Sequence, residues 1–137
     1  MKYLVTSCCK EKRSEKKPIP ASLRYLSDRI GFVLAEATRQ KTPALIFSGR
    51  YGLLQPQTPI PYYDKALLGE EVEAVAQLAH QQIAEWGITE MIFYAWPRET
   101  PGWEPYHACL ERACRAAGIK YEYVSCTIPD RKTEEAT

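Results

Sequence analysis

Four short strand-like runs constrain the fold of this chain more than any other feature. Tyr3-Leu4-Val5-Thr6, Ala44-Leu45-Ile46-Phe47, Met91-Ile92-Phe93-Tyr94-Ala95 and the alternating Lys120 to Val124 are rich in aromatic and branched residues. They are too short for helices and read as strands. Three helical stripes lie between them. From Ala21, the positions Leu23, Leu26, Ile30, Val33 or Leu34, and Ala37 fall on one side. From about Glu70 to Glu85, Val72, Val75, Ala76, Ala79, Ile83 and Trp86 do the same. Tyr106, Leu110, Ala113, Cys114 and Ala117 form the third, with Pro105 in its first turn and Gly118 at its end. Strand and helix alternate, so the expected fold class is α/β: a three-layer α/β/α, Rossmann-like domain with a mostly parallel four-stranded sheet.

Such a sheet gathers the loops that leave the carboxyl ends of its strands along one edge, where ligands bind. Those loops are Ser7–Lys17, Ser48–Lys65, Trp96–Trp103 and Ser125–Pro129, and they hold most of the proline, glycine and unusual polar residues. The connections on the opposite edge are short and plain. The sequence therefore predicts one site, at the carboxyl edge.

The length of 137 residues suits one core, read as a single domain over 1–128 with a polar tail over 129–137. Lys and Arg number 18 against 17 acidic residues, so bulk charge selects no partner. The apolar stretch before Ser7 is too short for a signal peptide, and no run approaches the ~20 apolar residues of a membrane span. A cytoplasmic protein is expected. Its five cysteines include no CxxC pair and are expected as free thiols in a reducing compartment.

Within the first loop, Ser7-Cys8-Cys9-Lys10-Glu11-Lys12 places thiols beside ammonium groups. Such neighbours favour a thiolate, a better nucleophile or ligand. Alternation sends Cys8 and Cys9 to opposite sides, and Cys8 shares its parity with Lys10 and Lys12. The run from Lys10 to Lys17 is either a lid that grips phosphate or carboxylate or a solvated loop. In the second loop, Ser48-Gly49-Arg50-Tyr51-Gly52-Leu53 has the glycines of a close-approach turn but neither a Walker A nor a GxGxxG pattern. Eighteen residues from Ser48 to Lys65 without regular structure point to function. Tyr62, Tyr63 and Asp64 precede the second helix: a tyrosine to stack on a planar ligand, and an aspartate to accept a proton or cap the helix. His107 sits one residue off its apolar stripe and reads as a surface histidine. A zinc set of Cys8, Cys9, Cys126 and His107 lacks the spacing of structural zinc motifs, so no metal and no cofactor is expected.

Taken in order, these pieces resemble a known pattern. Cys8-Cys9-Lys10-Glu11-Lys12, Pro20-Ala21-Ser22-Leu23-Arg24-Tyr25, Ser48-Gly49-Arg50-Tyr51-Gly52-Leu53 and Pro61-Tyr62-Tyr63-Asp64-Lys65-Ala66-Leu67 resemble the bacterial domain-of-unknown-function family 6884. Arg24 intervenes where the family has Leu-Tyr adjacent, and Tyr62-Tyr63 doubles its aromatic. The resemblance implies a fold and a site, not a reaction. Cys8 and Lys12 also have a spacing similar to that in the catalytic domain of archaeosine synthase, which implies a nucleobase-like substrate.

The expected function is an enzyme acting on a nucleobase, nucleoside or nucleotide, of transferase or hydrolase type; the alternative is a non-catalytic module binding a nucleotide or nucleic acid. The candidate catalytic residues are Cys8, Asp64 and Lys12. The candidate substrate contacts are Ser7, Lys10, Ser48, Gly49, Arg50, Tyr51, Gly52 and Tyr63. The expected partner is a nucleotide-like small molecule, with no membrane contact; tryptophans near Pro97 offer a homodimer contact.

Overall fold

The computed structural model describes residues 1–130, so most of the expected tail lies outside the described residues. All four expected strands form: β1 (Lys2–Ser7), β3 (Ala44–Ser48), β6 (Glu90–Ala95) and β7 (Lys120–Ser125). They are parallel, with Val5 opposite Leu45 on one side and Phe93 on the other, and Phe93 opposite Tyr123. The sheet nevertheless has five strands, because β4 (Gly52–Leu54) folds back antiparallel onto β3. The order is β4-β3-β1-β6-β7. The loop read as eighteen structureless residues thus supplies a sheet strand, together with β5 (Pro59–Ile60), which pairs with β2 (Ile19–Pro20).

The first helical stripe is also interrupted, giving four helices in place of three. A single turn, α1 (Ala21–Arg24), ends at Tyr25, whose backbone is extended at φ −90° and ψ 135°. Residues around Tyr25 instead pair with the first loop: Arg13 N–H donates to Arg24 O at 2.8 Å and Leu26 N–H to Glu11 O at 2.9 Å. Ser27 then starts α2 (Asp28–Gln40), its Oγ accepting from Ile30 N–H at 3.1 Å. A serine-aspartate pair is a strong helix start, and here it overrides the apolar spacing that runs through it. Leu23, placed on the expected stripe, is 54% exposed. After a 3-10 turn at Gly69–Glu71 come α3 (Val72–Glu85) and later α4 (Glu104–Ala117).

Alternation along β1 divides the core. Val5 clusters with Leu45, Phe47, Met91 and Phe93 beneath residues of α3 and α4. Leu4 clusters with Ile92 beneath Val33 and Ala37 of α2. Because β3 lies on one side of β1 and β6 on the other, successive connections from β1 diverge. That divergence opens the sheet's carboxyl edge at β1, where such sheets hold ligands. Among the described residues no helix is long and apolar enough to cross a membrane.

Candidate functional site

β1 ends at Ser7, but the next residue keeps its pairing: Cys8 N–H donates to Phe47 O at 2.8 Å. This carries the Cys8 side chain to the rim of the carboxyl edge, above the α2 face. There Cys8, Lys10, Lys12 and Asp64 line one cavity of about 290 Å³. Cys9, Lys65, Ala66 and Tyr106 complete its wall. Two loops that are remote in sequence therefore share a hollow.

A cluster of hydroxyls packs against the Cys8 and Lys12 side of this wall. Tyr25 Oη meets Tyr63 Oη at 2.5 Å, and Tyr63 Oη meets Ser48 Oγ at 2.9 Å. Ser48 Oγ accepts from the backbone N–H groups of Arg50 at 3.0 Å and Tyr51 at 3.1 Å. The Cys8 thiol faces Tyr106 Oη at 3.9 Å, and that oxygen accepts from Leu67 N–H at 3.1 Å. Burial pushes the phenols of Tyr25, Tyr63 and Tyr106 up, and a negative charge on the adjacent Cys8 would push each further. Cys9 differs from its neighbour. Its thiol donates to Glu11 O at 3.0 Å, and burial, then the charge of Asp130, pushes it well up.

The cations around the cavity are not equivalent. Lys12 Nζ lies 4.8 Å from the Tyr63 ring centroid and 5.8 Å from that of Tyr25, and it donates to Lys10 O at 3.0 Å. Lys65 Nζ is paired with Glu71 Oε1 at 2.6 Å, and this hydrogen bond holds the Glu71 carboxyl below its ordinary range. Lys10 is exposed.

Several expected contacts lie away from the cavity wall. Ser7 is buried, with its hydroxyl on Cys8 O at 3.1 Å. Gly49 packs against Leu67, and a Cβ at Gly49 would sit 2.9 Å from Leu67 Cβ. Gly52 has φ +72° and abuts Gln82, whose Oε1 accepts from Leu53 N–H at 2.7 Å. These glycines answer to packing and turn geometry. Arg50 is exposed and lies over the Tyr51 ring at 5.5 Å. Tyr63, expected to stack, is 6% exposed and presents its hydroxyl inward, whereas Tyr62 is 48% exposed. Asp64 caps no helix, since the next turn begins at Gly69.

His107 is buried, not on the surface: Nε2 contacts Trp96 O at 2.7 Å, and the rings of Phe93, Trp103 and Tyr123 surround it. Trp96 and Trp103 are half-buried. Among the described residues, no group of three or more His, Cys, Asp or Glu is placed to hold a metal ion.

Two arginines are buried in roles that the sequence does not predict. Arg24 is fully buried and donates to the carbonyls of Arg13 and Glu15, each at 2.7 Å, Lys17 at 2.8 Å and Ile60 at 3.1 Å. It holds the basic loop from beneath, which distinguishes that loop from a free lid. Arg29 is also fully buried; it donates to Thr6 Oγ1 at 2.5 Å and Ser7 O at 2.7 Å, pairs with Asp130 at 3.3 Å, and lies 4.9 Å from the Trp103 ring centroid. Both sit on polar positions of helical segments, which spacing alone assigns to solvent. Tyr106 was read as a core residue; its place in the first turn of α4, at the carboxyl edge, was the available signal.

A family model described as a family of unknown function, DUF6884, matches residues 3–97. No curated protein and no solved structure matches the chain. The matched span includes every residue of the cavity wall named above except Tyr106.

Proposed function

The chain belongs to the DUF6884 family, whose function is unknown, and we propose that it is an enzyme acting on a nucleobase, nucleoside or nucleotide, of transferase or hydrolase type. The observation that carries this reading is the shared cavity of Cys8, Lys10, Lys12 and Asp64. It combines a nucleophile, cations and a carboxylate, the chemical set needed for attack, charge neutralisation and proton transfer. Its volume of about 290 Å³ lies near the lower limit of small-ligand pockets, which favours a base-sized group inside with any phosphate outside. In this scheme Cys8 attacks or anchors the base, Lys10 meets an anionic group at the rim, Lys12 assists the thiolate, and Asp64 accepts a proton. We further infer a three-layer, Rossmann-like arrangement and a cytoplasmic setting.

The test is a panel of nucleobases, nucleosides and nucleotides, read by thermal stabilisation and by product formation, with Cys8→Ala alongside. Saturable turnover lost in Cys8→Ala supports the reading. Normal turnover by that variant removes the thiol from the chemistry.

A second reading rests on the exposed Lys10, Lys16 and Lys17, carried on a loop that Arg24 braces. Here the protein binds nucleic acid or a nucleotide without altering it. Affinity would then fall steeply with salt, and no product would form.

A further inference from the structure

A short strap leaves β7 and crosses the carboxyl edge of the sheet. Cys126 N–H donates to Ala95 O at 2.9 Å, and the indole N–H of Trp96 donates to Ile128 O at 3.2 Å. Asp130 then bridges to Ser27 at the start of α2. Its Oδ1 accepts from Ser27 Oγ at 2.5 Å and from Arg29 Nη2 at 3.3 Å. The strap thus delivers one carboxylate to a buried guanidinium.

The two charged partners are unequal. The Arg29 side chain has no exposed surface, whereas that of Asp130 is 25% exposed. Arg29 Nη1 is engaged by Thr6 Oγ1 and Ser7 O, and Nη2 makes two long contacts, to Cys8 O at 3.4 Å and to Asp130. Nε has no hydrogen-bond partner among the described residues. A guanidinium holds an anion best through two parallel N–H bonds; here one carboxylate oxygen meets one of its nitrogens. The pairing is incomplete for a charge so deeply buried. A phosphoryl group brings three terminal oxygens, and the start of a 13-residue helix favours negative charge. The spot also adjoins the candidate cavity. Cys9, in the cavity wall, has its Sγ 3.7 Å from the carbonyl of Leu26, the residue before Ser27.

We propose that Arg29 and Ser27 form an anion subsite that Asp130 occupies in the free protein, and that a phosphoryl group of the ligand takes its place as the strap lifts. The subsite stands on its own geometry; that the phosphoryl group belongs to a nucleotide rests on the reading above. A purely structural ion pair would hold the strap in place and admit no anion.

Inorganic phosphate titrated into the full chain at constant ionic strength tests this, read by calorimetry and by the indole N–H resonances. In the wild type Asp130 competes, so phosphate binds weakly, and binding shifts the Trp96 resonance because its acceptor, Ile128, lies on the strap. Asp130→Ala removes the competitor and is expected to tighten phosphate by roughly tenfold. Adding Ser27→Gly, which keeps most of the helix cap, is expected to undo that gain. An affinity that Asp130→Ala leaves unchanged overturns the proposal. So does a gain that survives Ser27→Gly, which places the ion on the loop lysines instead. Should Asp130→Ala fail to fold, a wild-type Trp96 resonance that phosphate does not move overturns it equally. A nucleoside and its 5′-monophosphate, compared in wild type and Asp130→Ala, separate the two readings. A monophosphate that gains from the substitution while the nucleoside does not supports both. Phosphate tightened with neither compound bound removes the nucleotide reading and leaves the subsite. A nucleotide bound alike by both proteins removes the subsite alone.

Discussion

The hydroxyls of Tyr25 and Tyr63 meet at 2.5 Å, joining the turn after α1 to the loop that carries Asp64. Both side chains are buried, so the contact crosses the interior between segments 38 residues apart. It ties the two halves of the cavity wall to one point.

Removing one hydroxyl of this pair is the mildest perturbation. Tyr25→Phe leaves Tyr63 bonded to Ser48, and it should lower stability by about 1 kcal/mol. Ser48→Ala strips an acceptor from two backbone N–H groups and should cost more, about 2–3 kcal/mol. Urea denaturation with an unchanged slope would measure both. A larger loss in Tyr25→Phe than in Ser48→Ala would contradict the hydrogen-bond assignment.

Arg24→Met should release the basic loop. The substitution leaves the carbonyls of Arg13, Glu15 and Lys17 without their guanidinium donor. Limited trypsin digestion after the exposed Lys16 should accelerate by on the order of tenfold, because proteolysis follows local opening. Equal digestion rates in variant and wild type would show that the brace is dispensable.

Gly49→Ala should be poorly tolerated although the position lies outside the cavity wall. The new methyl would stand 2.9 Å from Leu67 Cβ and 3.0 Å from Leu67 N, and backbone cannot yield as a flexible side-chain tip can. A loss of about 1–3 kcal/mol is expected, read from the thermal midpoint. A neutral substitution would mean that the 66–68 segment shifts freely.

Stability should decline in alkali. Burial pushes the thiols of Cys109 and Cys114 from an ordinary 9.0 up to about 12. Between those values the unfolded chain has released the two protons and the folded chain still holds them, so unfolding becomes easier as pH rises. The contribution is fully present below about 9 and is lost as pH climbs towards 12. Cys114→Ala should flatten this slope even though it lowers stability at neutral pH through the space it leaves. Identical slopes for wild type and variant would assign the alkaline decline to other groups.

The parallel strands were legible in the sequence because Leu4, Ile46 and Ile92 belong to continuous apolar runs buried on both faces. Antiparallel β4 was not. Its three residues follow Gly49 and begin with Gly52, and pairing with β3 depends on a turn at Gly52 whose positive φ leaves no periodicity to detect. The break at Tyr25 was hidden for a related reason: apolar spacing continues through Leu23 and Leu26, and the Ser27 cap competes with it silently. At the site, loop order brought Cys8, Lys12 and Asp64 to one edge, since each follows a strand or precedes a helix there. The burial of Arg24 and Arg29 depends on tertiary partners, 36 and 101 residues away for two of their contacts, and the inward turn of Tyr63 on Ser48 and Tyr25, 15 and 38 residues away. No local pattern encodes those.

Arg24 grips its loop by main-chain carbonyls alone, which every residue except in its side chain supplies alike. Shape and chemistry are thereby uncoupled at Lys16 and Lys17: the path of the backbone is gripped by one guanidinium, while these two side chains stand outward in solvent. The side chains of Lys16 and Lys17 can therefore be exchanged without redrawing the course of the main chain that Arg24 grips.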